Sequence, residues 1–184
     1  LLMNSIFGLM SQGVWNQNRG SNLLDGGAHF YGTYETKDGK HVSLGSIEPQ
    51  FYALLLEKTG LDQDPDLAKQ MSRDDWPMLR EKLAAVMATK TRDEWDGIML
   101  GTDICYAPIL NFEEAVDHPH NQARQTFVKS ADITQAAPAP RFSRTEPQLP
   151  EPPVAPGQHT DEILAGIGLD ATAIANLKDS GAVV

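Results

Sequence analysis

LLDGGAHFYGTYETKDGKHVSLGSIEPQFY, residues 23–52, carries the reading on which the fold turns. Phe30, Tyr31, Thr33 and Tyr34 are the aromatic and β-branched side chains that suit a pleated, half-buried surface. Lys37-Asp38-Gly39-Lys40 then supplies hairpin chemistry, with Asp38-Gly39 as the turn centre, before His41-Val42-Ser43-Leu44. At Glu48-Pro49 the period changes. Proline fits the first helical position, where its missing N–H would lack a partner anyway, and Phe51, Leu54, Leu55 and Lys58 follow at helical spacing until Gly60 closes the element. The run predicts an antiparallel hairpin feeding a helix over 49–59.

Upstream, Leu2, Met3, Ile6, Phe7, Met10 and Val14 predict an apolar helix over 2–16, followed by the polar, turn-forming NQNRGSN. Downstream, Ser72 to Asp75 and Thr91 to Glu94 both match the capping-box pattern, in which a hydroxyl and a carboxylate three residues apart satisfy each other's backbone N–H groups. Each is followed by an apolar helical face, Trp76, Leu79, Leu83, Val86 and Met87, then Trp95, Ile98 and Met99. Ile104 to Leu110 reads as a short buried strand that Pro108 confines to an edge or an end, and Asn111 opens a short helix through Val116. Seven of the 12 prolines crowd into residues 136–157, so this stretch is an extended connector that supports neither helix nor central strand. Beyond it, Thr160 and Asp170 each open a helix.

At 184 residues, with 41% hydrophobic and 22% charged side chains, the chain is long enough to bury a real core and is composed like a globular protein. Its 15 basic against 25 acidic groups give a charge of −10, which argues against a nucleic-acid partner. The apolar opening is too short for a membrane span and lacks the basic flank of a signal peptide, while one cysteine fits a reducing, cytoplasmic setting. No Cys/His spacing of the metal-binding type is present, so no metal is expected.

Glu48 is the residue most able to carry chemistry. On the residues alone it either caps the following helix or, aimed from a rigid junction, accepts a hydrogen bond from a catalytic base and fixes its orientation. Asp25-Gly26-Gly27 is a turn or a close-approach loop for a ligand. Leu24, Phe30, Tyr31 and Ile47 form an apolar set that belongs to the core or lines a pocket. Cys105 is expected to be a buried, inert thiol, and His118-Pro119-His120 a surface helix start rather than a metal pair.

LLDGGAHFYGTYETKDGK, VSLGSIEPQFY, TDICYAPIL, APAPRFSRT and the tail from Gly157 to Val184 resemble the CaiB/BaiF, or class III CoA-transferase, family, and DGGAHFYGTY and IEPQFY resemble its α-methylacyl-CoA racemase branch. The resemblance runs along nearly the whole chain. It implies an α/β fold of the interlocked-dimer type, with a small domain of hairpin-based antiparallel sheet and several helices beside a Rossmann-like larger domain that begins upstream. It implies this organisation: residues 1–22 a helix and linker from the larger domain, 23–135 the small domain, 136–159 the connector, and 160–184 helices that return to the larger domain.

The implied activity is interconversion of (R)- and (S)-2-methylacyl-CoA by α-proton exchange through an enolate, with the CoA thioester as substrate and no separate cofactor. The catalytic His and Asp of such racemases belong to segments upstream of the match, so the resemblance implies a C-terminal portion that is inactive alone. It carries over Glu48 as the carboxylate that hydrogen-bonds the catalytic His, and Leu24, Tyr31 and Ile47 as acyl-chain lining. His29 stands where many relatives have Pro, a departure expected to bear on substrate fit. The competing readings are a class III CoA-transferase working through an Asp anhydride and a non-catalytic acyl-CoA-binding or dimerisation module.

Overall fold

The computed structural model describes residues 2–149 and 152–184, so Leu1 and residues 150–151 of the expected connector lie outside the described residues. The chain divides into two compact units, Leu1–Phe112 and Glu113–Val184.

In the first unit the opening helix α1 (Leu2–Ser11) ends five residues before the expected boundary. Gly13 explains the stop: it takes a φ of 70°, which a side chain resists, while its N–H returns to the Met10 carbonyl. The hairpin is as the sequence predicts, β1 (Tyr31–Glu35) antiparallel to β2 (His41–Gly45), with Tyr31 opposite Gly45 and Glu35 opposite His41. Gly39, at φ 73°, turns the chain, and its N–H donates to the Thr36 carbonyl over 2.9 Å. β3 (Tyr106–Ile109) pairs with the other side of β2, giving the order β1-β2-β3. Pro108 therefore sits on an edge strand, where its missing N–H costs no ladder bond.

Alternation along these strands decides the faces. Tyr34, Val42 and Leu44 are buried on one side, and Tyr31, Thr33, Ser43 and Gly45 lie on the other. The buried side packs with α2 (Pro49–Thr59), the 3-10 turn Pro65–Ala68, α3 (Trp76–Met87) and α4 (Arg92–Met99) around Tyr52, Leu55, Leu67, Trp76, Leu79, Leu83, Met87, Trp95 and Met99. Both core indoles satisfy their N–H: Trp76 donates to the Gln70 carbonyl and Trp95 to the Met87 carbonyl, each over 2.8 Å. Of the two expected capping boxes only one closes. Thr91 and Glu94 exchange both bonds, whereas the Ser72 hydroxyl donates to the Asp75 carboxylate and Asp75 makes no capping bond at the start of α3.

The second unit opens within α5 (Phe112–Asp117), the helix expected from Asn111, and contains α6 (Pro119–Ala123), a hairpin of β4 (Phe127–Ser130) and β5 (Ile133–Ala136), and the helices α7 (Thr160–Gly166) and α8 (Ala171–Asp179). Between β5 and α7 the described residues form neither helix nor strand, as the prolines require. Asp170 caps α8 by accepting the Ala173 N–H over 2.8 Å, and Lys178 pairs with Asp161 over 2.7 Å to join α8 to α7. The fold is mixed α/β with antiparallel sheets.

The β4–β5 hairpin turns at Ala131 and Asp132, with φ of 45° and 65°. This two-residue turn needs positive φ at both positions, and Ala131 has neither the backbone freedom nor the local hydrogen bonding that makes such φ cheap. Ala131→Gly is therefore expected to raise stability by about 0.5–1 kcal/mol, read as an upward shift in thermal midpoint of the 184-residue chain.

Candidate active site

The strand-to-helix junction at Gly45–Pro49 is tied down from several directions. The Ser46 N–H donates to the Phe30 carbonyl over 3.0 Å, and its hydroxyl donates to the Ile104 carbonyl. Gln70, 22 positions beyond Glu48, turns its amide back to donate to the carbonyls of Ser46 (3.1 Å) and Ile47 (2.9 Å). The Glu48 carbonyl accepts from the N–H groups of Phe51 and Tyr52, each at 3.0 Å, opening α2. The Glu48 side chain stays out of this network. It is exposed at the N-cap position and makes no capping bond, so the carboxylate is held by its backbone and left open to another partner. Ile47 packs half-buried against the core beside it.

Tyr31, Gly45 and Cys105 form a row across the open face of the sheet next to Glu48. The Gly45 N–H donates to the Cys105 carbonyl over 2.9 Å, extending the β2–β3 ladder by one residue. Cys105 is exposed, which corrects the expected buried thiol: its φ of 60° breaks from the strand and swings the side chain outward. Desolvation raises its pKa, and the negative charges of Glu48 and Asp103 push the same way, so the thiol remains protonated near neutral pH. Leu24 lies in the preceding turn, 49% exposed, while Phe30 is wholly buried. The apolar set thus divides: Phe30 is core, Tyr31 and Ile47 are half-buried, and Leu24 faces solvent.

Asp25-Gly26-Gly27 is a turn bound by its own carboxylate. Asp25 accepts from the Asn22 N–H (2.7 Å), the Asn22 amide (2.7 Å), the Gly20 N–H (3.2 Å) and the Gly27 N–H (3.3 Å). Those bonds hold its pKa below the ordinary carboxylate value against the opposing effect of desolvation. His29 points away from the open face. It is fully buried, with Nε2 2.8 Å from the Tyr52 hydroxyl and its ring edge-on to Phe30 and Tyr52, so its role is in the core. His118 caps α6 by accepting the His120 N–H at Nδ1 over 3.3 Å, a helix start as expected. Among the described residues no group of three or more His, Cys, Asp or Glu is placed to hold a metal, and no helix is long and apolar enough to cross a membrane.

A pinned carboxylate beside a half-apolar sheet face has the makings of one wall of a cleft. A crystal structure of a CaiB/BaiF family protein from Brucella suis has the same fold, with a TM-score of 0.73 at 16% identity, covering 91% of this chain and 44% of that one. The family model for CoA-transferase family III matches residues 2–160, and the chain belongs to that family. Within it, the chain is 47% identical over 168 residues to alpha-methylacyl-CoA racemase of Mus musculus, and 46% identical over the same length to that of Homo sapiens. Each match covers 90% of this chain and 44% of the relative, so the chain spans about half the length of the curated relatives it matches.

Two features of the junction lay beyond sequence reasoning. Ser46 and Gln70 hold it in place through bonds to residues 58 and 24 positions away, and Gly45 and Cys105 share its face only because of strand pairing. The periodic signal around Ser46 marks the end of a strand; nothing local marks its partners.

Proposed function

We propose that these residues form the carboxylate-bearing wall of an α-methylacyl-CoA racemase, which interconverts (R)- and (S)-2-methylacyl-CoA by α-proton exchange. The observation that carries the reading is the exposed Glu48 carboxylate, unclaimed by its own helix on a junction fixed by Ser46 and Gln70. The identity of nearly half to two racemases supports the choice of substrate class. A thioester α-proton is weakly acidic, so its removal at neutral pH calls for an oriented base and fixed dipoles at the developing enolate oxygen. Glu48 acts as a positioning residue: it accepts the N–H of a catalytic imidazole, fixes the ring and its tautomer, and stabilises the charged form that follows proton abstraction. Leu24, Tyr31 and Ile47 supply apolar surface for the acyl chain. The proton-transferring His and Asp come from outside these 184 residues, and His29 is sealed in the core.

The enzyme works as an interlocked homodimer in the cytoplasm on lipid-derived acyl groups, with the connector and α7–α8 as the return path, and needs no cofactor beyond the CoA of its substrate. Proton NMR in D₂O tests the chemistry. The complete enzyme should exchange the α-proton of a 2-methylacyl-CoA with no added carboxylate, and the 184-residue chain alone should not. Exchange by the isolated chain overturns the placement of the base; CoA transfer to an added acid without exchange overturns the racemase reading. In the complete enzyme Glu48→Gln should lower kcat several-fold, well short of the ~10²–10⁴ that a positioned base supplies. The acid limb of the kcat/KM profile should also move to lower pH, because an imidazole that loses its carboxylate partner is less basic. An unshifted limb with unchanged turnover and a lowered melting temperature would make Glu48 a structural residue only.

A further inference from the structure

Gly45 has no structural reason to be glycine. It lies in the central strand β2 outside the positive-φ region, so its backbone conformation is open to any residue. A Cβ built on it would meet Cys105 Cβ at 3.6 Å, the Cys105 carbonyl oxygen at 3.7 Å and Tyr31 Cε2 at 3.7 Å, all ordinary van der Waals contacts. Glycine inside a strand also weakens it, so a side chain at this position would stabilise the sheet. What glycine leaves instead is a methyl-wide notch, walled by the Tyr31 ring and Cys105, on the open face and three residues before Glu48.

We propose that Gly45 is a specificity-determining residue, whose missing side chain leaves the floor on which an aliphatic acyl chain lies as it leaves the reacting centre. This rests on the racemase reading of the same wall. The notch is apolar on the sides that Tyr31 and Cys105 Cβ provide, and the raised thiol pKa keeps Cys105 uncharged, as a surface for a hydrocarbon chain requires. On this proposal an acyl chain that ends at the α-branch stops short of the notch, and a longer one crosses it.

The test compares Gly45→Ala and Gly45→Val with the parent in the complete enzyme, following α-proton exchange of 2-methylpropanoyl-CoA and 2-methyldecanoyl-CoA. One methylene more or less in a hydrophobic pocket discriminates by about 10–200-fold, and valine adds three carbons, so Gly45→Val should lower kcat/KM for the long substrate at least tenfold, mostly through KM, and leave the short one within about twofold. Gly45→Ala should show the same ordering with a smaller ratio and an unchanged or raised melting temperature. Its methyl fits the space available, so the comparison survives if the valine variant folds poorly. Equal changes on both substrates, or none on the long one, overturn the proposal. Absence of exchange on either substrate in the parent overturns the racemase reading instead, and the two failures are thereby distinguished.

Discussion

Gly27→Ala is expected to lower the stability of the protein by about 3 kcal/mol, a fall in melting temperature of roughly 10 °C. A Cβ at this position would stand 2.6 Å from the Ser21 carbonyl carbon, 2.7 Å from the Asn22 nitrogen and 2.8 Å from the Asn22 oxygen. All three are backbone atoms, so no side chain can rotate to make room. Two bonds hold them there: the Gly27 N–H donates to the Asn22 carbonyl over 3.2 Å, and the Asp25 carboxylate binds the Asn22 N–H over 2.7 Å. Arg73 adds a third restraint by donating to the Ser21 carbonyl over 2.8 Å. Relieving the overlap therefore means opening a turn whose next residues, Ala28, His29 and Phe30, are fully buried. Gly97→Ala serves as the contrasting measurement. Gly97 is exposed inside α4 with nothing within 4 Å of its Cβ position, so the same chemical change should stabilise by about 0.5–1 kcal/mol. Thermal melts of the two variants should move in opposite directions, and a Gly27→Ala melt within 2 °C of the parent, allowing roughly the precision of the method, would mean the turn yields easily.

That pair of glycines also shows what can be read before a structure is known. Local chemistry was legible: α2 spans 49–59 as Pro49 and Gly60 indicate, Asp38-Gly39 turns the hairpin, and Thr91–Glu94 closes its capping box. Each of these outcomes is decided within a few residues. Contacts set by pairing were not. The Ala131-Asp132 turn lacks the glycine or asparagine that announces positive φ, so β4 and β5 carried no visible hairpin signal. Cys105 reads as part of an apolar strand because sequence does not reveal that its own φ breaks the strand. Ser72 and Asp75 match a capping box by spacing, yet the hydroxyl turns to the Asp75 carboxylate and leaves the backbone N–H groups alone. At the candidate site, family resemblance is what singles out Glu48, Tyr31 and Ile47, whereas Ser46 and Gln70, which fix the junction, act across the chain and leave no local pattern.

Acidification between pH 6.5 and 4 is expected to remove about 3 kcal/mol of stability through His29 alone, at up to ~1.4 kcal/mol per pH unit. Burial, aided by the charge of Arg80, lowers the His29 pKa from 6.5 to about 4. The geometry gives the cause. The single proton of the Tyr52 hydroxyl goes to the Leu67 carbonyl over 2.9 Å, so His29 must donate from Nε2 to the Tyr52 oxygen. Nδ1 is then the unprotonated nitrogen, and it is buried with no hydrogen-bond partner. A second proton would create a charge and an N–H donor in an apolar enclosure with nothing to receive it, so the folded state resists the proton that the unfolded chain accepts below 6.5. The contribution is complete above that value, falls as pH drops through 6.5 toward 4, and changes no further below 4, where both states are protonated. The carboxylates of Asp25, Asp38, Asp64 and Glu94 are held below their ordinary values, so their share begins to be lost only from about pH 5 downward, at the acid end of this window. Tyr34 and Tyr52 are raised above 10 and act only at alkaline pH. Urea denaturation from pH 7.5 to 4 should show this slope in the parent, and His29→Gln should be less stable at neutral pH but nearly flat across the window. A slope retained in His29→Gln would assign the acid response to other groups and leave the buried imidazole as a packing residue.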